Sequence, residues 1–495
     1  MCQTFSMDYQ KIRNKIAEGK AIVERYKDET PKPVLDVCYS MFEINEMLVD
    51  KLEEIDNKIN KNSSNSSVPP SRDPNRQRRE RKKSNNQTGG QPGHKGSNLA
   101  RVENPDAIVD HKPTGKCKCG KNIADLKIKL HSSRQIFEIE ILKKAIEHRL
   151  FQTVCTCGES HCGSYPVGVN APAQYGASVQ AIVAYLSKYQ LIPYERIQEL
   201  MTEIFSCPLS EGTVDNICLR SLEGLQEFET KAKEELLNQK MLHVDETPIR
   251  VENNKNYFHV ICNEAISLIS HHFSRGMAAV VDIGVLDKFK GILIHDCYSM
   301  YFNYGGSHVV CNGHLLRETK FIEDQYKFTW ASEIQGFMWD LKWLVDESKK
   351  SGERIFDHLD AEKFEAEYES ILRRGRFEMK ELILSVKTKG KARGKQHPAL
   401  NLCNRMLRLK KEILLFMYDF DVPFTNNEAE RDLRMAKVHQ KISGCFRSER
   451  GARNYALFRS YILTLKKQGH SIFEGIKNLF NPKRNATLDL IFKAQ

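Results

Sequence analysis

The amino-acid sequence predicts a multidomain α/β protein in which a mixed β-sheet forms the core of one domain and helical regions precede and interrupt it. Two observations predict this class. The chain has 495 residues, of which 40% are hydrophobic, so it has room for roughly three or four domains of about 150 residues. Residues 240–296 alternate strand and helix patterns, whereas most of the remaining periodic sequence has the spacing of amphipathic helices.

The chain is basic and carries no export or membrane signal. It has 75 Lys+Arg against 64 Asp+Glu, and this balance favours a polyanionic partner such as nucleic acid. No run of 18 or more apolar residues occurs, and the N-terminal sequence MCQTFSMDYQKIRNK lacks the apolar segment of a signal peptide. We therefore expect a cytoplasmic protein without a membrane segment. Its 14 cysteines are then reduced thiols, and clusters among them indicate metal sites.

Residues 1–60 are predicted to be helical and to self-associate. Apolar residues recur at steps of three and four, as in a coiled-coil seam: Val34, Val37, Met41, Ile44, Leu48, Leu52, Ile55 and Ile59. The alternative is one helix packed on its own domain, although the only apolar segment nearby is a shorter helix-like stretch before Pro31. We expect the seam to make the protein at least a dimer.

Residues 61–104 are rich in Gly, Pro, Ser and Asn and are predicted to be a linker. The segment RDPNRQRRERKK within it has seven basic and two acidic residues. This block is either a solvated linker or an arm that follows DNA phosphates. The second interpretation would use Arg76, Arg78, Arg79, Arg81, Lys82 and Lys83.

Residues 105–170 contain two closely spaced pairs of cysteines and are predicted to bind zinc. The pairs are Cys117 with Cys119 and Cys155 with Cys157, and a strand-like stretch, SRQIFEIEIL, lies between them. Four thiolates are the ligands of a closed, tetrahedral structural Zn²⁺ site. One of the four could be replaced by His111, His161 or Cys162. The alternative is that these cysteines bind no metal.

Residues 171–238 are predicted to be helical. Two helix patterns are separated by a break at Cys207 and Pro208, and Ser210 is a suitable N-cap for the second helix. This arrangement resembles a helix-turn-helix, which would contact DNA. Helical bundles contain similar corners, so a purely structural role stays open.

Residues 239–318 are predicted to form the first part of a catalytic core. The segments KMLHVDETPIRV, NYFHVICN and AISLISHHF are strands, SRGMAAVVDIGVL is a helix opened by Ser274, and KGILIHD is a fourth strand. Three strands, a helix and a strand are the first half of an RNase H-like core. The first and fourth strands are neighbours in that fold, so Asp245 and Asp296 are expected to meet at one edge of the sheet.

Each of these aspartates ends an apolar run, where an unpaired carboxylate costs several kcal/mol. Carboxylates that share cations are what two-metal phosphoryl transfer requires, and Mg²⁺ prefers oxygen ligands. A third acid would complete the site. A helix opened by Asn426 and Asn427 could supply it as Glu428 or Glu430, after a predicted α-helical insertion at residues 319–420. That insertion includes the basic loop KTKGKARGKQHP, which either is a solvated tip or contacts the DNA backbone.

Several segments in this order resemble the IS66-type transposases of bacterial insertion sequences, a DDE group with an RNase H-like core. They are NKNSSNSSVPPSRD, GGQPGHKG, the two cysteine pairs, VDETP, CNGHLLRE, NNEAER and FRSERGA. The resemblance implies a catalytic triad of Asp245, Asp296 and Glu430 that holds two Mg²⁺ or Mn²⁺ ions, and a structural Zn²⁺ in the cysteine-containing domain. It also implies that residues 421–480 complete the core and that residues 481–495 are a tail.

The resemblance further implies that Cys311 and His314 match a Cys-x-x-His feature found in many DDE transposases, and we expect them to be structural support. Arg431 and Arg434 are candidates for contacts to DNA phosphates. The implied partners are double-stranded DNA at the element ends and at the target, a second copy of the chain, and companion proteins of the same element. We expect the protein to be associated with the nucleoid.

The sequence therefore predicts a DNA transposase that cuts element ends and joins the 3′-OH to target DNA. The main alternative is a non-catalytic, zinc-containing DNA-binding or regulatory protein derived from a transposase. A simple RNase H-like nuclease is a third possibility, although it would not need the coiled coil and the zinc domain.

Overall fold

The structure is a computed structural model that describes residues 9–62, 65, 73, 99–380, 396–481, 488, 491 and 492. The chain divides into two compact units. The larger comprises residues 1–76, 148–199 and 209–495, and the smaller comprises residues 77–147 and 200–208. None of the described helices is both long enough and apolar enough to cross a membrane.

The described residues of the larger unit contain a five-stranded mixed sheet and a short two-stranded one. The strands are β1 (Gln152–Val154), β2 (Ser160–Cys162), β3 (Met241–Val251), β4 (Asn254–Cys262), β5 (Ser267–His272), β6 (Ile292–His295) and β7 (Ser307–Val310). The large sheet has the order β5-β4-β3-β6-β7. Strands β3, β4 and β5 are antiparallel neighbours, while β6 runs parallel to both β3 and β7. The predicted adjacency of the first and fourth core strands is confirmed.

The β3–β4 hairpin shows how local sequence fixes the register of the sheet. Val251 pairs with Asn254, and the two residues between them, Glu252 and Asn253, have φ values of 50° and 65°. Positive φ at both central residues is typical of the two-residue turns whose twist matches that of paired strands. Because this register is fixed, Asp245 lies opposite Val260 in the middle of the hairpin.

The described residues also form fifteen helices. They are α1 (Tyr9–Arg25), α2 (Lys32–Asn60), α3 (Ala177–Ala184), α4 (Tyr194–Glu203), α5 (Glu211–Glu223), α6 (Gln226–Leu237), α7 (Met277–Ile283), α8 (Asn312–Tyr326), α9 (Thr329–Lys350), α10 (His358–Glu378), α11 (Pro398–Arg408), α12 (Lys410–Tyr418), α13 (Asn427–Ser443), α14 (Glu449–Lys467) and α15 (Ile472–Leu479).

The two faces of the sheet bury different helices. Ile249 and Val251 of β3 pack in one hydrophobic cluster with Leu433 of α13. Leu242 and Val244 of the same strand belong to another cluster, which contains α3, α6, α7 and most of the apolar residues of α14. The alternation along β3 is the usual period of two. Helix α13, which carries the third candidate acid, therefore lies on the face to which Asp245 also belongs.

Helix α14 covers the open edge of β5. The hydroxyl of Ser460 accepts a hydrogen bond from the Ile269 N–H at 2.7 Å, and the hydroxyl of Thr464 accepts one from the Ser267 N–H at 3.1 Å. An edge strand exposes unpaired backbone groups that invite pairing with another chain. These two buried hydroxyls satisfy such groups on β5.

The described part of the segment between β7 and α13 consists mainly of helices joined by short connections. Its helices α8 to α12 share a hydrophobic cluster with Ile294 of β6 and with Val309 and Val310 of β7. Trp330 is buried in this cluster, whereas Trp339 and Trp343 are exposed. The prediction of helical sequence between the second and third acids agrees with these elements. Most of the basic loop, at residues 387–395, lies outside the described residues.

Helices α1 and α2 form a hairpin, held by ion pairs from Arg13 to Asp50 at 2.6 Å and to Glu53 at 2.7 Å. The end of α2 contacts α8, because Asn60 donates a hydrogen bond to Gln325 and Tyr326 donates one to Asn57. The predicted seam remains on the outside of the hairpin. Its eight residues are between 43% and 58% exposed: Val34, Val37, Met41, Ile44, Leu48, Leu52, Ile55 and Ile59.

Two local predictions were wrong. Helix α7 begins at Met277, three residues after Ser274, whose hydroxyl instead accepts a hydrogen bond from the Gly276 N–H. Ser274 thus forms a local turn, for which serine competes well. Residues 133–142 form no strand, since alternation alone does not make one without a partner strand. The predicted start of α13 at the Asn pair is confirmed, because Asn426 occupies the N-cap, although its side chain makes no capping bond.

Candidate active site at the sheet edge

The three candidate acids lie on three different elements of the core. Asp245 is in β3, Asp296 directly follows β6, and Glu430 is in the first turn of α13. Because β3 and β6 are neighbouring parallel strands, their carboxyl-terminal ends lie at the same end of the sheet. The Asp245 carboxylate accepts a hydrogen bond from the Glu246 N–H at 2.8 Å, and that of Asp296 accepts one from the Tyr298 N–H at 3.2 Å.

Burial and the neighbouring acids both act on the pKa of Asp245. Burial raises the pKa of Asp245 well above its usual value, and the negative charges of Glu246, Asp296 and Glu430 raise it further. Neighbouring carboxyl groups cannot all be ionised at once unless a cation neutralises their charge; otherwise some of them are protonated. The donor set is made of carboxylate oxygens, which are the ligands that Mg²⁺ prefers. The residues present therefore fit a hard divalent cation.

Glu428 and Glu430 leave the first turn of α13 in different directions. Glu428 pairs with Arg431 and lies 3.6 Å from the Lys467 ammonium, which also binds Asp432 at 2.9 Å. Although burial acts in the opposite sense, Arg431 and Lys467 hold the pKa of Glu428 below its usual value. The carboxylate of Glu428 is therefore hydrogen-bonded to Arg431 and lies near Lys467, although its Oε2 makes no hydrogen bond among the described residues.

Glu430 faces the beginning of α8. Its Oε1 lies 3.6 Å from His314 Nδ1 and 3.9 Å from an Arg317 guanidinium nitrogen. Both Glu430 Oε1 and His314 Nδ1 are buried and have no hydrogen-bond partner among the described residues. Burial and Arg317 lower the pKa of His314.

Asn426 connects the strand of the first acid to the helix of the third. Its side-chain N–H donates to Val244 O at 2.7 Å, and its side-chain oxygen accepts from His243 Nδ1 at 2.8 Å. Its backbone N–H donates to the sulfur of Cys311 at 3.2 Å. Asn426 is 1% exposed, so none of these bonds has water as a ready substitute. They fix the start of α13 against β3 and β7.

Sequence reasoning missed a polar cluster on the opposite face of β3. Glu246 is buried, pairs with Arg275, and accepts a hydrogen bond from the Tyr301 hydroxyl. Arg275 in turn lies 4.0 Å from the ring centre of Tyr298. Burial and the nearby Asp296 raise the pKa of Glu246. The signal in the sequence was the second acid of the pair Asp245-Glu246, which alternation alone assigns to the other face.

Cys311, His314 and Glu430 form the one group of three or more His, Cys, Asp and Glu side chains that could hold a metal ion within the described part of the chain. Their ligand atoms lie within 4.8 Å of one another. Cys311 precedes α8 and is 1% exposed, and this burial raises the pKa of its thiol. The three candidate acids together do not form a group this tight.

Each predicted zinc-binding pair of cysteines lies in a tight turn. The Gly120 N–H donates to Cys117 O at 2.8 Å, and the Gly158 N–H donates to Cys155 O at 2.9 Å. Both glycines have a φ of 89°, which favours glycine. Backbone hydrogen bonds from Cys119 and Cys157 lower the pKa of Cys117 and Cys155, respectively. All four cysteines are exposed, and zinc binding remains a prediction.

The candidate DNA-binding residues fall into two groups. Arg431 and Arg434 are both exposed on α13; Arg431 directly follows Glu430, and Arg434 lies about one helical turn beyond it. The other six lie outside the described residues: Arg76, Arg78, Arg79, Arg81, Lys82 and Lys83. Helix α5, the second helix of the predicted helix-turn-helix, is capped by Ser210 as expected and carries a single cation, Arg220. Its contact with DNA remains a prediction.

Two sequence models of protein families match this chain. One, described as the Transposase IS66 family, matches residues 172–454, which is more than half of the chain. The other, described as a family of unknown function (DUF6444), matches residues 9–100. No curated protein matches. The first match contains Asp245, Asp296 and Glu430, and it ends within α14.

Proposed function

Because this chain belongs to the IS66 transposase family, we propose that it is a DDE-type transposase of a bacterial insertion sequence. In this proposal the five-stranded sheet is the centre of an RNase H-like core, and Asp245, Asp296 and Glu430 are its catalytic acids. The observation that carries it is geometric: Asp245 and Asp296 lie at the same end of the neighbouring parallel strands β3 and β6, and α13, which carries Glu430, packs on the Asp245 face of the sheet. In keeping with this placement, burial and the charges of Glu246, Asp296 and Glu430 raise the pKa of Asp245.

The three acids would hold two Mg²⁺ or Mn²⁺ ions. When bound, such ions activate the attacking oxygen and stabilise the leaving oxygen of an in-line displacement at phosphorus. Without a cation, the mutual repulsion of these carboxylates is relieved by protonation. The backbone N–H groups of Glu246 and Tyr298 each bind one oxygen of an aspartate. They orient the carboxylates before any substrate arrives.

The chemistry consists of two displacements at the same site. Water attacks the phosphorus at an element end, and the bond to the 3′ oxygen breaks, leaving a free 3′-OH. That hydroxyl then attacks a phosphorus of target DNA, so a new ester bond forms as another breaks. Arg431 and Arg434 are exposed near Glu430 and would contact the DNA phosphates.

Two further properties belong to the same proposal. The exposed seam on α2 would pair with that of a second copy, which would bring two active sites to the two element ends. Cys117, Cys119, Cys155 and Cys157 would bind one structural Zn²⁺, a proposal supported by their spacing and by the tight turn at each pair.

Cleavage and joining of a labelled element end test the activity. With Mg²⁺ and target DNA, the wild-type protein should cut the end and join it, while Asp245→Asn should bind DNA without either reaction. Asp282→Asn is the control, because this exposed aspartate of α7 pairs with His272 away from the acids. DNA binding without cleavage by the wild-type protein would favour the regulatory alternative. Cleavage without joining would favour a simple nuclease.

A further inference from the structure

We propose that Cys311, His314 and Glu430 form a Zn²⁺ site, and that Zn²⁺ bound there takes Glu430 away from the Mg²⁺ centre. The proposal that Zn²⁺ binds these three side chains rests on their geometry alone. Its inhibitory consequence rests on the proposed function, because it requires Glu430 to be a ligand of the catalytic ions.

The spacing of the three side chains suits a transition metal. Their ligand atoms lie within 4.8 Å of one another, and His314 Nδ1 lies 3.6 Å from Glu430 Oε1. This distance is too long for a hydrogen bond. With metal–ligand bonds of about 2.05 Å, two ligands of a tetrahedral ion are about 3.3 Å apart. Small side-chain rotations would complete the coordination.

The unsatisfied atoms of the group point to a missing ligand. Glu430 Oε1 and His314 Nδ1 are both buried without a hydrogen-bond partner among the described residues. A buried polar atom left unpaired costs about 1 to 3 kcal/mol. One cation between the two atoms would satisfy both.

The group is held by rigid elements and is open on one side. Cys311 and His314 lie at the beginning of α8, and Glu430 lies in the first turn of α13. The Asn426 N–H fixes the sulfur of Cys311 at 3.2 Å. The side chains of His314 and Glu430 are 18% and 32% exposed, although their facing atoms are buried. The side-chain rotations that complete the coordination would also admit an ion from solvent, with a fourth position for water.

The donor types select a soft ion over Mg²⁺. Thiolate and imidazole ligands favour Zn²⁺, whereas Mg²⁺ favours oxygen ligands and retains water. Arg317 lies 3.9 Å from Glu430 Oε1 and is partly exposed, so its guanidinium can withdraw when an ion binds. On binding, the Cys311 thiol releases its proton to solvent and the sulfur becomes a ligand.

Sharing Glu430 couples the two metal sites. If Zn²⁺ binds Glu430 Oε1, this oxygen is no longer available as a ligand of the catalytic ions, and one of their three acids is compromised. Excess Zn²⁺ should therefore inhibit Mg²⁺-dependent cleavage. The site would therefore lower the rate of cleavage when the concentration of free Zn²⁺ rises.

Co²⁺ and Zn²⁺ binding to the full-length protein test the site without reference to activity. Wild-type protein should bind one more metal equivalent than Cys311→Ser or His314→Gln, and Cys311→Ser should lose part of the thiolate-to-cobalt absorption. Cys445→Ser is the control, since this half-buried cysteine follows α13 outside the group. Thermal unfolding shows which variants fold. Equal metal content in wild type and both variants would overturn the proposal.

The same proteins then test the competition. Added Zn²⁺ should inhibit cleavage by wild type and by Cys445→Ser, while Cys311→Ser should resist inhibition by at least tenfold in Zn²⁺ concentration. Equal inhibition of all three would overturn the sharing of Glu430. If wild type has no activity at all, the proposed function fails, yet the difference in bound metal still decides whether the site exists.

Discussion

At the residue scale, the first turn of α13 separates two glutamates by their partners. Glu428 is bound to Arg431 and faces Lys467, whereas Glu430 faces His314 and raises the pKa of Asp245. Residues two apart in a helix differ by about 200° around its axis, so the two side chains cannot act on the same ion. The surroundings of the two side chains favour Glu430 as the third acid, a choice that helical geometry alone does not make.

We predict that Glu430→Gln lowers Mg²⁺-dependent cleavage by about 1000-fold, because a lost metal ligand removes several kcal/mol of transition-state stabilisation. DNA binding and thermal unfolding should be unchanged. Glu428→Gln is the matched comparison. It should retain cleavage but lose about 1 kcal/mol of stability, since Lys467 keeps Asp432 as a partner. The reverse ranking in a cleavage assay would assign the third acid to Glu428.

The pair Asn426-Asn427 gives a second prediction at this scale. Asn426→Ala should lower the free energy of unfolding by about 2 kcal/mol, because it leaves His243 Nδ1 and Val244 O unpaired in the core. Cleavage should fall as well, since α13 loses its attachment to β3. Asn427→Ala, at an exposed position, should change stability by less than about 0.5 kcal/mol. Equal effects of the two variants in denaturant titrations would contradict this role of Asn426.

At the element scale, α2 is a helix with two different long faces. One packs on α1 through Arg13 and its acid partners, while the other exposes eight apolar residues, between 43% and 58% each. Monomeric proteins rarely leave so continuous an apolar surface exposed. The hairpin with α1 therefore leaves the seam available to a second copy.

We predict that the double variant Met41→Glu and Leu48→Glu shifts the protein from dimer to monomer, because both residues lie on the seam, 58% and 54% exposed. Charges at seam positions would repel each other across two copies. Ile22→Glu, on an exposed site of α1, should leave the mass unchanged. Light scattering measures the mass. A double variant with the mass of the wild type would remove the α2 interface.

The two cysteine turns give the second prediction for elements. Cys117→Ser should lose one equivalent of zinc, and chelator should unfold residues near 110–165 while the sheet survives, because structural zinc sites contribute folding energy directly. Cys38→Ser, in α2, is the control. Metal analysis and hydrogen exchange measure the two effects. Full zinc content in Cys117→Ser, or unchanged exchange in chelator, would refute the assignment.

At the scale of the whole molecule, burial of neutral histidines couples stability to pH. Burial lowers the pKa of His259 to about 4, and burial likewise lowers that of His439 to about 4. His259 contacts Ser274 O at 3.0 Å, and His439 stacks on Phe446. Between pH 6.5 and 4 the unfolded chain binds protons that the folded chain does not. These two histidines therefore contribute stability that is lost as pH falls through this window.

We predict that His259→Gln reduces the loss of stability between pH 7 and pH 4.5 by about 2 kcal/mol, because each unit of pKa shift corresponds to about 1.4 kcal/mol. Guanidinium titrations at the two pH values measure the loss. His358→Gln should leave the loss unchanged, since His358 is on the surface beside Glu362. A His259→Gln variant with the pH dependence of the wild type would show that this histidine is protonated in the folded state.

Sequence by itself determined the order of the core elements. Alternation and turn residues identified β3 to β6, and the RNase H-like topology that their order indicates places β3 beside β6, as the sheet shows. The family resemblance is likewise borne out by the match over residues 172–454. These features depend on periodicity and motif order, which are local properties of a chain.

Only the tertiary structure decided what each polar side chain contacts. Asn426 forms a hydrogen bond with β3 instead of capping its helix, and Ser274 forms a turn before α7 begins. Glu428 forms an ion pair with Arg431. The alternating segment at 133–142 forms no strand because a strand needs a neighbour. These contacts depend on groups that are distant in sequence, and the periodicity of a sequence does not predict them. The meeting of Cys311, His314 and Glu430 is a further example, since residues more than a hundred positions apart come together where the first turn of α13 meets the beginning of α8.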